Sequence, residues 1–225
     1  MKLEEITEPL LSWYEENKRD LPWRRDPSPY HVWVSEIMLQ QTRVEAVKGY
    51  YERFLSALPG IEDLAACPEN KLLKLWEGLG YYNRVKNMQK AAKEIVLKYN
   101  KEIPADYEKI LALPGIGSYT AGAVSSIAFG LKKPAVDGNV LRVISRITEN
   151  GDDILKQSVK KRVEQELEAV MPEDRPGAFN QSLMELGATV CIPNGMAKCS
   201  DCPVSHLCKA RANGTVLEYP KKASK

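Results

Sequence analysis

The sequence predicts an all-α protein, and three observations predict it. Apolar residues recur at three- and four-residue spacing, proline and glycine cut the chain into lengths typical of helices, and no alternating apolar–polar run persists. Spacing of that kind puts side chains on one face of a 3.6-residue helix, whereas a half-buried strand needs a period of two.

The elements follow in order. Leu10, Leu11 and Tyr14 form the apolar face of a first helix. Val34, Ile37, Met38 and Gln41 make a second stripe, and Ile95, Val96 and Tyr99 a third. Breaks come at Pro59-Gly60, Gly78-Leu79-Gly80, Pro104, Pro114-Gly115, Pro134 and Pro172, leaving room for roughly ten helices.

Bulk properties narrow the class. With 225 residues, 44% hydrophobic and 28% charged, the chain can bury one large core or two small ones as an ordinary globular protein. No apolar run approaches the roughly 18 residues that cross a bilayer, so no membrane role is expected. The acidic, amphipathic opening MKLEEITEPLLSWYEENK is unlike an import sequence, and a cytoplasmic location is expected. A net charge of +2 gives no general basic field. Lys160, Lys161 and Arg162, and Lys221, Lys222 and Lys225, gather locally, but solvated surface explains such groups as well as a phosphate patch does.

Two segments carry chemistry. Cys191, Cys199, Cys202 and Cys208 read Cys-x7-Cys-x2-Cys-x5-Cys, with Cys67 the one other cysteine. Four soft donors so close together suit one metal centre, and the spacing leaves zinc and an iron–sulfur cluster both open. The second segment is Leu113-Pro114-Gly115-Ile116-Gly117-Ser118-Tyr119-Thr120. Proline ends one helix, two glycines allow a tight reversal, and Ile116 plugs the turn into the core. Free amides at the start of the next helix then suit a backbone phosphate, although a ligand-free helix corner has the same pattern.

Taken together these residues resemble a known family. Leu113 to Thr120 is similar to the helix-hairpin-helix of base-excision DNA glycosylases, and Asp137, in Val136-Asp137-Gly138-Asn139-Val140, stands where that superfamily places its catalytic aspartate. Trp33-Val34-Ser35-Glu36-Ile37-Met38-Leu39-Gln40-Gln41-Thr42 and Gly78-Leu79-Gly80-Tyr81-Tyr82 resemble elements of the MutY branch, the adenine DNA glycosylases. The resemblance runs over essentially the whole chain. It implies two helical subdomains flanking a DNA groove: a six-helix module at 24–131 holding the hairpin, and residues 1–23 with 132–225 holding a C-terminal [4Fe-4S] loop on the four cysteines.

The implied reaction is hydrolysis of the N-glycosidic bond of adenine mispaired with 8-oxoguanine or guanine in double-stranded DNA, by a monomer. It needs a proton for the leaving base and support for a cationic sugar, a division of labour between two carboxyl groups. The resemblance makes Glu36, on an apolar helix, the acid that protonates adenine, and Asp137 the carboxylate that shelters the cation, with Asn139 holding the site. Tyr119 replaces the lysine of the endonuclease III branch, and a phenol cannot form a Schiff base; a monofunctional glycosylase is expected. A thymine–guanine mismatch glycosylase also has tyrosine there but lacks the acid at Glu36. Gln41 and Tyr81 match intercalating residues, and Arg19, Trp23, Arg24, Leu39 and Gln181 match an adenine pocket. Gly115, Gly117 and Ser118 would contact the DNA backbone. An endonuclease III-like glycosylase/lyase for damaged pyrimidines and a non-catalytic DNA-binding module are the alternatives.

Two departures stand out. The first cysteine gap is seven residues where six is common, a difference that the Pro193-Asn194-Gly195 turn can absorb. No C-terminal domain for recognising 8-oxoguanine follows the cysteines before Lys225, so weaker preference for 8-oxoguanine over guanine is expected.

Overall fold

Thirteen α-helices and three 3-10 turns supply the regular structure of residues 2–223 in a computed structural model of the chain, and no strand occurs among those described residues. Lys225 lies outside them. Asp20–Phe129 forms one compact unit; the flanking stretches, up to Arg19 and from Gly130 onward, form the other. The cuts fall at 19/20 and 129/130, where the sequence reading placed them at 23/24 and 131/132.

The central unit holds eight helices: α2 (Pro22–Arg25), α3 (Pro29–Leu39), α4 (Val44–Ala57), α5 (Ile61–Ala66), α6 (Glu69–Trp76), α7 (Asn83–Lys98), α8 (Tyr107–Leu111) and α9 (Ser118–Phe129). Six were expected. Three of the eight, α2, α5 and α8, are only one to two turns long, too short to print a 3.6-residue period on the sequence. Local chemistry starts them instead. Pro22 and Pro29 sit in the first turns of α2 and α3, Ser28 caps α3 by accepting from the His31 amide, and Asp106 caps α8 by accepting from the Lys109 amide. Fully buried Trp33, Phe54, Leu72, Trp76 and Ile95 form the centre of its core. α3 packs on α9 and α4, and α5 on α7.

Helix α3 ends at Leu39, two residues before the end of the stripe that the sequence suggested. Val34, Ile37 and Met38 are buried as expected, but Gln41 lies in the turn beyond Leu39, exposed, with a left-handed φ of 58°. Its three-residue offset from Met38 imitated helical period where the backbone had already turned.

The flanking unit holds α1 (Thr7–Asn17), α10 (Gly138–Thr148), α11 (Gln157–Val170), α12 (Pro176–Thr189) and the short α13 (Lys209–Ala212). Leu10, Leu11 and Tyr14 are buried, as their spacing requires. α12 is the spine: α1 and α10 both pack on it, around Phe179, Leu183 and Leu186. At Gly187 this packing is close enough that a Cβ would stand 2.7 Å from that of Asn139. Only glycine admits α10 at that distance.

Candidate active site

Glu36 sits in the middle of α3 and is 7% exposed. Burying a carboxyl group is costly without a partner. The packing of α3 on α9 provides one: the Tyr119 hydroxyl, 83 positions later in the chain, donates to Glu36 Oε2 at 2.7 Å. Tyr119 is the second residue of α9, directly after the hairpin, so the reversal itself delivers the phenol to the acid.

The hairpin has the expected turn but divides the labour of its glycines differently. Gly115 has φ 76°, and a Cβ there would approach that of Asn87 to 2.6 Å. Gly117 needs no such licence: a Cβ would meet nothing within 4 Å, and its carbonyl accepts from the Ala121 amide as α9 begins. Ile116 packs against the central core. Gly115 and Gly117 are exposed and Ser118 half-buried at the start of α9, the end of a helix that favours an anion.

Asp137 is the N-cap of α10. Its Oδ1 accepts from the Val140 amide at 2.8 Å and its Oδ2 from Asn139 Nδ2 at 2.9 Å. Asn139 Oδ1 in turn accepts from Arg142, whose guanidinium also reaches the Gly187 and Cys191 carbonyls at 2.7 and 2.9 Å. Burial pulls the proton affinity of Arg142 below its ordinary value, while Cys191 and Asp137 favour its charge. Each member of this network fixes the rotamer of the next, so the carboxylate stands in one orientation. The sequence reading missed Arg142; its three- and five-residue offsets from Asn139 and Asp137 on α10 were the available signal.

Gln41 and Tyr81 share two properties, exposure and a left-handed backbone. Tyr81 is 67% exposed with φ 47°. For side chains other than glycine that conformation costs about 1–3 kcal/mol and clusters at functional sites.

The five expected pocket residues have varied settings. Arg19 makes a two-pronged ion pair with Glu185 of α12, at 2.7 and 3.0 Å, and its amide donates to the same carboxylate. Glu185 is 1% exposed, so the pair satisfies a buried charge; sequence reading did not find that partner. Trp23 is a core residue, edge-on to Tyr51 with ring centroids 5.5 Å apart. Arg24 is half-buried on α2, and Leu39 packs against the central core at the end of α3. Gln181, on α12, donates to the Gly177 carbonyl one turn earlier.

Cys191, Cys199, Cys202 and Cys208 line a single pocket with Val143, Ile147, Leu186 and Val190. All four are free thiols. Among the described residues no three His, Cys, Asp or Glu side chains close round a single ion. Arg146 donates to Cys191 Sγ at 3.3 Å. Burial pushes the Cys202 thiol up to about 12, and the neighbouring sulfurs push it the same way. Four thiolates could therefore share this pocket only round a strong positive centre, which is the requirement that a soft metal centre meets.

Comparison with known proteins agrees with this architecture. Residues 34–173 match the family described as HhH-GPD superfamily base excision DNA repair protein. Adenine DNA glycosylase of Homo sapiens is 45% identical over 211 residues, covering 90% of this chain and 38% of the human protein. That of Buchnera aphidicola subsp. Baizongia pistaciae is 38% identical over 217 residues, covering 96% of this chain and 61% of the relative. The chain thus spans between two-fifths and three-fifths of the length of these relatives. Among solved structures, a thermostable thymine-DNA glycosylase superimposes with a TM-score of 0.83 at 29% identity, covering 93% of this chain and 97% of that one. A non-covalent endonuclease III–DNA complex superimposes with a TM-score of 0.77 at 25% identity, over 95% and 99%. With the hairpin, the capped aspartate and more than half of its length matched, the chain belongs to the HhH-GPD superfamily of base excision DNA repair proteins.

Proposed function

We propose that this chain is a monofunctional adenine DNA glycosylase, acting as a monomer on adenine opposite guanine or 8-oxoguanine in duplex DNA. One observation carries the reading: the Tyr119 hydroxyl bonded to the buried Glu36 carboxyl. The residue after the hairpin is a phenol, with no amine to attack the sugar, and it braces an acid that a purine leaving group needs. Relatives named adenine DNA glycosylase at 38–45% identity support the same substrate.

In this mechanism the target nucleotide leaves the stack, because its glycosidic bond is hidden within the duplex. Gln41 and Tyr81 enter the gap, while hairpin amides at Gly115, Gly117 and Ser118 hold a backbone phosphate. Glu36 gives a proton to adenine N7 as the C1′–N9 bond breaks. The Oε2 that accepts from Tyr119 is held, so the proton to be transferred is carried on Oε1. Asp137, fixed by Val140 and Asn139, sets its negative charge against the cationic sugar. Water adds at C1′ and loses its proton, leaving free adenine and an abasic site.

Cys191, Cys199, Cys202 and Cys208 fit a [4Fe-4S] cluster as four soft donors lining one pocket. Such a centre would organise the loop from Cys191 to Cys208 and supply no step of the glycosidic chemistry.

The test is base release at stated salt from duplexes bearing A opposite G, A opposite 8-oxoguanine, T opposite G, and thymine glycol. Adenine release is expected from the first two. Glu36→Gln and Asp137→Asn should each lower it by about 10²–10⁴-fold. Thymine glycol release with a borohydride-trapped covalent product would replace this reading with a pyrimidine glycosylase/lyase, and T release alone with a thymine glycosylase.

A further inference from the structure

Arg84, the second residue of α7, makes more backbone contacts than any charge balance requires. Its NH1 group points to the C-terminal end of α3, reaching the carbonyls of Ile37 at 2.9 Å, Met38 at 3.3 Å and Gln40 at 2.5 Å. Its NH2 group serves a different segment, the carbonyls of Leu79 at 3.0 Å and Gly80 at 3.2 Å. The two prongs therefore end one residue short of Gln41 and one residue short of Tyr81. These are the two exposed residues with left-handed backbone described above.

The chemistry suits a strap. The last carbonyls of a helix have no partner within it and carry the negative end of its dipole. A planar guanidinium with five fixed donors can serve two separated rows of carbonyls at once, which a lysine ammonium cannot. The fork also lies over two aromatic rings: its carbon is 5.3 Å from the Trp76 ring centroid and 5.6 Å from that of Tyr81. Trp76 Nε1 donates to the Gly80 carbonyl at 3.0 Å, bracing the same turn. No carboxylate pairs with Arg84 among the described residues' ion pairs, so its charge is committed to backbone.

We propose that Arg84 is a positioning residue that locks the Gln41 and Tyr81 turns in one register, so that both side chains enter the duplex as a single wedge. The inference deepens the adenine reading and relies on it for one of its two readouts. Each turn alone is strained; joined through one cation, neither can relax or advance without the other.

Arg84→Lys tests this, because it keeps the charge and most of the stem but not the fork. The first readout is unstacking, followed by the fluorescence of 2-aminopurine placed beside the target adenine. The second compares adenine release from an A–G duplex with release from adenine in an unpaired bulge, which needs no wedge. Arg84→Lys is expected to lose the unstacking signal and slow duplex release by roughly tenfold to a hundredfold, with a much smaller effect on the bulge. Equal slowing of both substrates, or unstacking like the wild type, would overturn the strap. Wild-type unstacking without any adenine release would sink the substrate reading alone, and the fluorescence comparison would still decide the role of Arg84. Should the lysine variant fail to fold by circular dichroism, Gln41→Ala, Tyr81→Ala and their combination are measured with Arg84 in place. A joint wedge makes the losses clearly less than additive; simple additivity refutes it.

Discussion

A single hydroxyl decides two chemical questions at Tyr119. In the proposed reaction it leaves no amine to form a Schiff base, and in the fold it satisfies a carboxyl group that is 7% exposed. Tyr119→Phe keeps the ring and removes the donor. Loss of one such hydrogen bond is worth about 1–1.5 kcal/mol, so base release should slow about tenfold and the melting temperature should fall by a few degrees. In a Glu36→Gln background the same change should cost far less, since the acid that it braces is gone. Independent losses in a double-mutant cycle would separate Tyr119 from Glu36. The sequence marked both residues through their motifs but not their bond. Glu36 and Tyr119 are 83 positions apart, and a period on either helix says which face is apolar, not which side chain will meet it. Arg19 is the converse case: its resemblance to a pocket residue was legible, whereas its commitment to buried Glu185 was not.

At the scale of elements, the hairpin and α10 each separate structure from chemistry. Gly115→Ala combines a left-handed φ with a Cβ contact at 2.6 Å and should destabilise by about 1–3 kcal/mol. Gly117→Ala meets open space and should leave the melting temperature nearly unchanged. A thermal melt of the two variants distinguishes a turn that needs one glycine from one that needs both. On α10, Asp137→Asn retains a good cap and should fold normally without releasing base. Asp137→Ala should lose about 1 kcal/mol of stability as well. Comparable stability for the two would mean that the hydrogen bond to Val140 does little to hold α10. Elements of three or more turns were legible because burial imprints a period on them. α2 and α8 were not, for they are held by Pro22 and by the Asp106 cap rather than by a stripe. The end of α3 was misjudged for a related reason: apolar spacing continued through Gln41 although the carbonyls of its last turn had passed to the Arg84 side chain. Gly187 gave only half a signal, since a glycine inside a helix announces a close approach without naming the neighbour, here Asn139.

For the whole molecule, the decisive fact is that each unit has its own hydrophobic core, and the cysteine pocket belongs to only one of them. Cys191, Cys202 and Cys208 pack against the core built on α10 and α12, beside Val190 and Val204. The chain around them is tied to the rest of the unit through Arg142 to the Cys191 carbonyl, Arg146 to the Ile192 and Tyr219 carbonyls, and the Cys191 and Lys198 amides to the Leu186 and Val190 carbonyls. A metal centre that binds only the folded loop contributes its binding free energy to the stability of that core. Without it the lining keeps only its apolar walls and its thiols, of which burial pushes Cys202 and Cys208 up. Stripping the protein with a chelator under reducing conditions should therefore lower the melting temperature and release amide protection first between Cys191 and Cys208, then in α10 and α12. Helices α3, α7 and α9, whose core contains none of these sulfurs, should keep their protection in the same hydrogen-exchange experiment. Loss of protection in α3 and α9 to the same extent and at the same rate would refute local support by the metal. Unchanged exchange between Cys191 and Cys208 would show that the thiols hold no centre of structural consequence.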